Sequence, residues 1–166
     1  VPDVVTLGKS IGNGHPLSLV ATTTEIAEKF DNGMEYFNSY GGNPVSCAIG
    51  HAVLKIIDDE DLQSRSEKVG KKLKSMLDKL QKNHEIIGEV RGMGLFIGVE
   101  FIDRGNKLKP NSTDAASIVN AMKNRGILLS VDGPDKNVIK IKPPMVFNDE
   151  NATFLVENLE AALSDY

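Results

Sequence analysis

Cysteine occurs once in the 166 residues, at Cys47. One thiol cannot close an internal disulfide, so nothing covalent staples the fold. Positive charge is not in excess either: Lys and Arg number 19 against 23 Asp and Glu, for a net charge of −4. A nucleic-acid surface needs a basic stripe, and here the lysines are mixed with acids, so neither DNA nor RNA is an expected partner. No apolar run approaches the length of a bilayer span, which removes a membrane helix from the expectations. Internal repeats and low-complexity tracts are missing, and nothing marks a secretory signal. A reducing, intracellular compartment is expected, the mitochondrial matrix or the cytoplasm. The chain opens on Val1, inside an apolar run and without an initiator methionine. The expectation is a fragment or a processed product.

What is present is an ordinary globular composition, 40% hydrophobic, enough for one core or two small ones. The apolar run at Val4 and Val5 reads as a short buried strand ended by Gly8. "TEIAEKF" reads as a short helix with Glu25 in its first turn, and "NGMEYFNSYGGNP" as a loop. Ala48, Ile49, Ala52, Val53 and Ile56 step by three and four on one helical face, with Cys47 expected as a small buried hydrophobe on that helix. Val69, Leu73, Met76, Leu77 and Leu80 repeat the pattern with a lysine-rich solvent side. The period then changes to two in "GLFIGVEF", for which "EIIGEVRGMG" is the other arm of a predicted hairpin. "DRGNKLKPNST" is the best linker or long-loop candidate. A helix closed by Gly126, two strands ("ILLSV" and "NVIKIK") and a last helix on Leu155, Val156, Leu159 and Leu163 complete the chain. Residues from about 60 onward therefore read as an α+β unit of helices on a small antiparallel sheet, and the first part as pieces of a larger sheet.

Chemistry concentrates in "VTLGKSIGNGHP", residues 5–16, where Lys9 stands at a strand end, the position at which open α/β sheets bind ligands. "GKS" also ends a nucleotide-binding P-loop. That motif needs a glycine five residues before Gly8, where Asp3 stands, and a helix after it, which the glycines and proline of "SIGNGHP" oppose. The other reading is a lysine that forms a Schiff base with an aldehyde cofactor, a use that suits its long stem and readily shifted pKa. His15 either polarises an oxygen or only supplies hydrogen bonds; Arg91 either binds an anion or caps a hairpin. His51 and His84 lack metal-ligand spacing, so no metal is assigned. Lys140 and Lys142, two apart on a strand, face the same way as an anion site or as a solvated face.

The blocks "PDVVTLGKSIGNGHP", "NSYGGNPVSCAIGHAVL" and "EVRGMGLFIGVEF" resemble the class III aminotransferases, enzymes that use pyridoxal 5′-phosphate (PLP), and the similarity runs on through "IKIKPPMVF". "GNGHP" and "LLSVDGPDKNVIKIKPPM" resemble most the alanine–glyoxylate aminotransferase 2-like branch with its phospho-lyases. The resemblance implies the C-terminal part of the type I PLP-dependent transferase fold: residues 1–59 from the large PLP-binding domain and 60–166 as the small α+β domain. It implies that Lys9 holds PLP and moves the substrate proton. Ser39 would reach the cofactor phosphate of the partner in a homodimer with shared active sites. Lys140 stands where many transaminases of the family have an arginine that clamps a carboxylate. Lysine lacks that bidentate fork, which favours a phospho-lyase acting on phosphoethanolamine or 5-phosphohydroxylysine. A class III transaminase passing an amino group to pyruvate or glyoxylate is the alternative. The family's phosphate loop, stacking aromatic and pyridine-pairing aspartate lie upstream of its lysine, and only eight residues precede Lys9. A non-catalytic fragment of such an enzyme is the third reading.

Overall fold

The strand Phe96–Asp103 organises the larger part of the chain, because it pairs on both edges and alternates between buried and less buried side chains from Phe96 to Phe101. In the computed structural model, which describes residues 1–165, the chain divides into two compact units, Val1–Asp61 and a second beginning at Leu62. In chain order the first holds β1 (Val4–Leu7), a single 3-10 turn (Lys9–Gly12), β2 (Leu19–Thr22), α1 (Thr24–Phe30) and α2 (Pro44–Asp59). The second holds α3 (Leu62–Asn83), β3 (Ile87–Met93), β4 (Phe96–Asp103), β5 (Asn106–Pro110), α4 (Ser112–Asn124), β6 (Ser130–Asp132), β7 (Val138–Ile141) and α5 (Asp149–Ser164).

The second unit is an antiparallel sheet in the order β3-β4-β7-β6, with β5 also paired to β4. Ile97, Val99 and Phe101 of β4 and Ile139 and Ile141 of β7 are buried, as the period of two requires. Over them pack Val69, Leu73, Leu77 and Leu80 of α3, Ile118 and Met122 of α4, and Leu155, Val156, Leu159 and Leu163 of α5. The expected hairpin of β3 with β4 forms, with Val90 opposite Val99. No helix among the described residues is long and apolar enough to cross a membrane.

Several expectations are corrected here. The linker candidate "DRGNKLKPNST" contains β5, which folds back on β4 with Asp103 opposite Asn106. Asp103 Oδ1 accepts the Gly105 N–H at 2.9 Å and closes the turn, a side-chain device that polarity alone did not distinguish from a loop. In "ILLSV" only Ser130 and Val131 are strand; Ile127 N–H is taken by Met122 O at 3.0 Å, beside Gly126 at φ +81°, in the closure of α4. In the first unit β1 is exposed rather than buried, and so is Cys47: β1 and β2 form a sheet of only two strands. On α2 it is Ile49 and Val53 that are half-buried, while Ala48, Ala52 and Ile56 are exposed.

One close approach sets the register of α3 on the β3–β4 turn. A Cβ on Gly70, in the middle of α3, would lie 2.0 Å from the carbonyl oxygen of Gly94. Glycine in a helix normally costs about 1 kcal/mol relative to alanine. At this position the sign reverses: Gly70→Ala is expected to destabilise the second unit by about 1–3 kcal/mol, since the contact atom is backbone. Urea unfolding followed by the helix signal measures it, and an unchanged or higher midpoint would mean that the turn simply moves aside.

Candidate functional site

Lys9 is mounted on strained backbone. Gly8 continues β1 in the extended region, and Lys9 then turns to φ +52°, left-handed space that a non-glycine residue occupies at a cost of about 1–3 kcal/mol. The turn that imposes this is closed by Ile11 N–H on Gly8 O at 3.3 Å and Asn13 N–H on Ser10 O at 2.9 Å. Ile11 and Gly12 are buried beneath it. The expectation that no helix follows the lysine holds only for a long one: a single 3-10 turn forms, stopped by Asn13 at φ +47° and Gly14 at φ +100°. The Lys9 side chain is exposed, and its ammonium has no hydrogen-bond or ion-pair partner among the described residues.

Ser39 lies in the loop between α1 and α2, whose shape is set by two asparagines. Asn38 Oδ1 accepts the N–H groups of Tyr40 (3.1 Å) and Gly41 (2.9 Å), and Asn43 Oδ1 accepts the N–H of Ser46 (2.9 Å) as the cap of α2, with Pro44 in its first turn. The Gly41 N–H is therefore already engaged. The Ser39 hydroxyl and the Gly42 N–H have no partner among the described residues, and Gly42 sits at φ +72°. His15, half-buried, places Nε2 2.8 Å from Ser46 Oγ. The turn after Lys9 and the loop of Ser39 thus belong to one unit, and the His15–Ser46 bond joins the segment after the turn to the start of α2, where that loop ends. Beside this bond lies a cleft of about 530 Å³ that His15, Ser18, Asn38, Tyr40, Asn43 and Ser46 line; neither Lys9 nor Ser39 lines it. Asn43 and Ser46 were not singled out in the sequence, although "NPVS", an asparagine before a proline, carried the signal of a helix start.

Lys140 belongs to the second unit, on the outward face of its sheet. Arg91, Gly98, Lys140 and Ser130 stand opposite one another on β3, β4, β7 and β6, and the next row holds Glu89, Glu100, Val138 and Asp132. Each base is held by an acid of that row. Lys140 Nζ donates to Asp132 Oδ2 at 2.6 Å; Arg91 donates to Glu89 at 2.8 Å and, more closely, to Glu100. The Lys140 hydrogen bond, helped by the Gly133 N–H, holds the Asp132 carboxyl below the ordinary aspartate range. Bonding to Glu100 raises the Arg91 guanidinium further. A groove of about 370 Å³ passes over Gly98 between these bases. Lys142 is exposed beyond the end of β7.

A depressed carboxyl pKa stabilises the fold above the unfolded value, near 3.9, and loses that contribution as pH falls through the folded value. Side-chain carboxyl NMR should find Asp132 titrating below the ordinary range. In Lys140→Ala it should move up toward that range, and in Lys140→Arg it should stay low. A midpoint indifferent to Lys140→Ala would remove the pair.

Comparison with known proteins places these residues in a family. The family profile of class III aminotransferases matches residues 1–163. Ethanolamine-phosphate phospho-lyase homolog 1 of Caenorhabditis elegans is 46% identical over 165 residues, 99% of this chain and 35% of its own length. The alanine–glyoxylate aminotransferase 2-like protein of Drosophila melanogaster is 48% identical over 154 residues, 92% of this chain and 31% of its own. Among solved structures, a phospholyase from Arthrobacter in complex with phosphoethanolamine superposes with a TM-score of 0.96 at 38% identity, covering 100% of this chain and 39% of that one. An amine transaminase from an uncultivated Pseudomonas species, in its PLP-bound form, gives 0.86 at 31% identity, covering 99% and 38%. The chain spans about a third of the length of the curated relatives it matches. Its mixed helix-and-sheet architecture is that of the corresponding part of these PLP-dependent enzymes.

Proposed function

This chain belongs to the class III aminotransferase family, and on that premise we propose that it carries the cofactor-anchoring lysine of a PLP-dependent phospho-lyase. Residues 1–59 are then part of the large PLP-binding domain and 60–166 the small α+β domain of a homodimeric enzyme. The reaction takes a phosphorylated primary amine, phosphoethanolamine or 5-phosphohydroxylysine, and one water to an aldehyde, ammonia and phosphate.

The residues present fit the cofactor. Lys9 offers an unpaired amine on rigid, strained backbone, and Ser39 with the Gly42 N–H offers donors without a partner, a set suited to a phosphate dianion. Bound at Lys9, PLP would supply an electron sink for the bond broken at the amine-bearing carbon. Lys9 Nζ would hold the cofactor covalently and, once displaced by the substrate amine, would take the proton from that carbon, so that phosphate on the adjacent carbon could leave with the electron pair of its C–O bond. Lys140, a point charge where a carboxylate clamp needs a fork, meets the substrate's anionic end by sharing its ammonium between Asp132 and phosphate.

What carries the lyase reading is the likeness of the whole chain to a phospholyase that holds phosphoethanolamine. The aminotransferase 2-like relative from Drosophila supports a second reading, transamination to pyruvate or glyoxylate. The intact enzyme, supplied with phosphoethanolamine or 5-phosphohydroxylysine and no keto acid, is expected to release phosphate, and borohydride reduction to leave the pyridoxyl mass on Lys9. Turnover that requires a keto acid and yields no phosphate would return the protein to the transaminases; a label on another lysine would displace Lys9. The third reading, a non-catalytic piece, predicts neither turnover nor labelling.

Ser39 in this scheme serves the cofactor of the partner. Ser39→Ala is expected to weaken PLP retention by about 1.5–3 kcal/mol, the range for hydrogen bonds to charged groups. Mixed dimers of Ser39→Ala with Lys9→Ala subunits decide the direction. Contact across the dimer leaves one site intact and the other doubly damaged, whereas contact within a subunit leaves one lesion in each. Absence of intact-site activity would place Ser39 at its own subunit's cofactor.

A further inference from the structure

Neither the anchoring amine nor the phosphate donors account for His15. It follows Lys9 by six residues, and its own N–H closes the turn on Gly12 O at 3.0 Å. Its ring reaches across 31 positions of sequence to Ser46 Oγ at 2.8 Å. The same hydroxyl accepts Asn43 Nδ2 at 3.0 Å, and Asn43 Nδ2 also donates to Tyr40 O at 2.9 Å, next to Ser39. The helix does not need the histidine for its cap, since Asn43 already takes the Ser46 N–H.

We propose that His15 is a positioning residue which clips the segment following Lys9 to the first turn of α2 through the Ser46 hydroxyl, and through the cap Asn43 to the end of the loop bearing Ser39. One assignment of donors and acceptors satisfies both bonds to the Ser46 hydroxyl. Asn43 Nδ2 occupies one lone pair of Ser46 Oγ, and the Ser46 hydrogen points to His15 Nε2 in the tautomer protonated at Nδ1. Both joined segments contain residues in left-handed space, Lys9, Asn13 and Gly14 on one side and Gly42 on the other. Glycine-rich chain of this kind loses much conformational freedom when ordered. A bond between the two segments orders each of them before any ligand arrives, the one carrying Lys9 for its own cofactor and the one carrying Ser39 for the partner's, which is how preorganisation saves binding energy. Leu17 secures the same turn by an apolar contact: it occupies the space over Gly50 of α2, where a Cβ would meet Leu17 Cδ2 at 2.5 Å. With that packing retained, loss of the polar clip alone leaves the unit folded.

The proposal rests on the PLP reading, and its test separates the two. Hydrogen exchange of the intact protein without cofactor is compared for His15→Phe, Ser46→Ala, the double variant and His15→Gln, whose amide reaches the position of Nε2. Either single loss is expected to raise exchange in both segments 12–18 and 38–47, the double to exceed neither, and His15→Gln to restore protection. PLP release, followed by its visible band, should quicken about fivefold in His15→Phe and return in His15→Gln. Exchange that rises only around the substituted residue, or effects that add in the double variant, would overturn the clip. Coupled exchange with unchanged PLP release would overturn the positioning role. Coupled exchange with borohydride labelling away from Lys9 would uphold the clip and defeat the cofactor reading instead.

Discussion

The alternation of β4 is the constraint on which the second unit depends. Ile97, Val99 and Phe101 go inward because only an unbroken apolar row can lie under α3, α4 and α5. Gly98 and Glu100 must then point the other way, and antiparallel pairing carries the same parity to β3 and β7. The outward positions of Arg91 and Lys140 are therefore consequences of burying Phe101. A slip of one residue would bury the bases and expose the core. The acids of the neighbouring row hold those bases in place, and a ligand anion reaching Lys140 does so in competition with Asp132.

The first unit is built on a different balance. Its buried apolar content is small, with Ile11 the largest buried side chain, and Val4, Val5, Phe30, Met34, Tyr36, Phe37 and Tyr40 are exposed. A two-stranded sheet is marginal by itself. What defines its geometry is left-handed residues, asparagine side chains closing turns, and one histidine–serine bond linking a loop to the start of α2. Such a unit positions reactive groups through backbone strain and hydrogen bonding more than through a packed core.

Much of this was legible in residue order. The helical faces of α3 and α5, the β3–β4 hairpin, and the closure of α4 at Gly126 follow from periods of 3.6 and 2 and from a glycine's tolerance of positive φ. The strand end at Lys9 was legible too, from an apolar run broken by glycine. Less visible were β5, whose polar residues pair because Asp103 closes a turn, and the shortened β6, whose preceding N–H was taken by a helix end. Exposure of β1 and of Cys47 on α2 was not legible, because an apolar pattern on a strand or a helix tells that a face is to be covered, not what covers it.

The sequence by itself determined the kinds and order of elements and the family blocks around Lys9, because propensity, periodicity and motif are properties of neighbours along the chain. Only the tertiary structure decided which partners the polar groups of the candidate site have: Lys140 with Asp132, the Gly41 N–H with Asn38, and His15 with Ser46. Whether a charge or an N–H is free or engaged depends on atoms within about 3 Å. Two of these partnerships join residues eight and 31 positions apart, a separation that no local pattern reports.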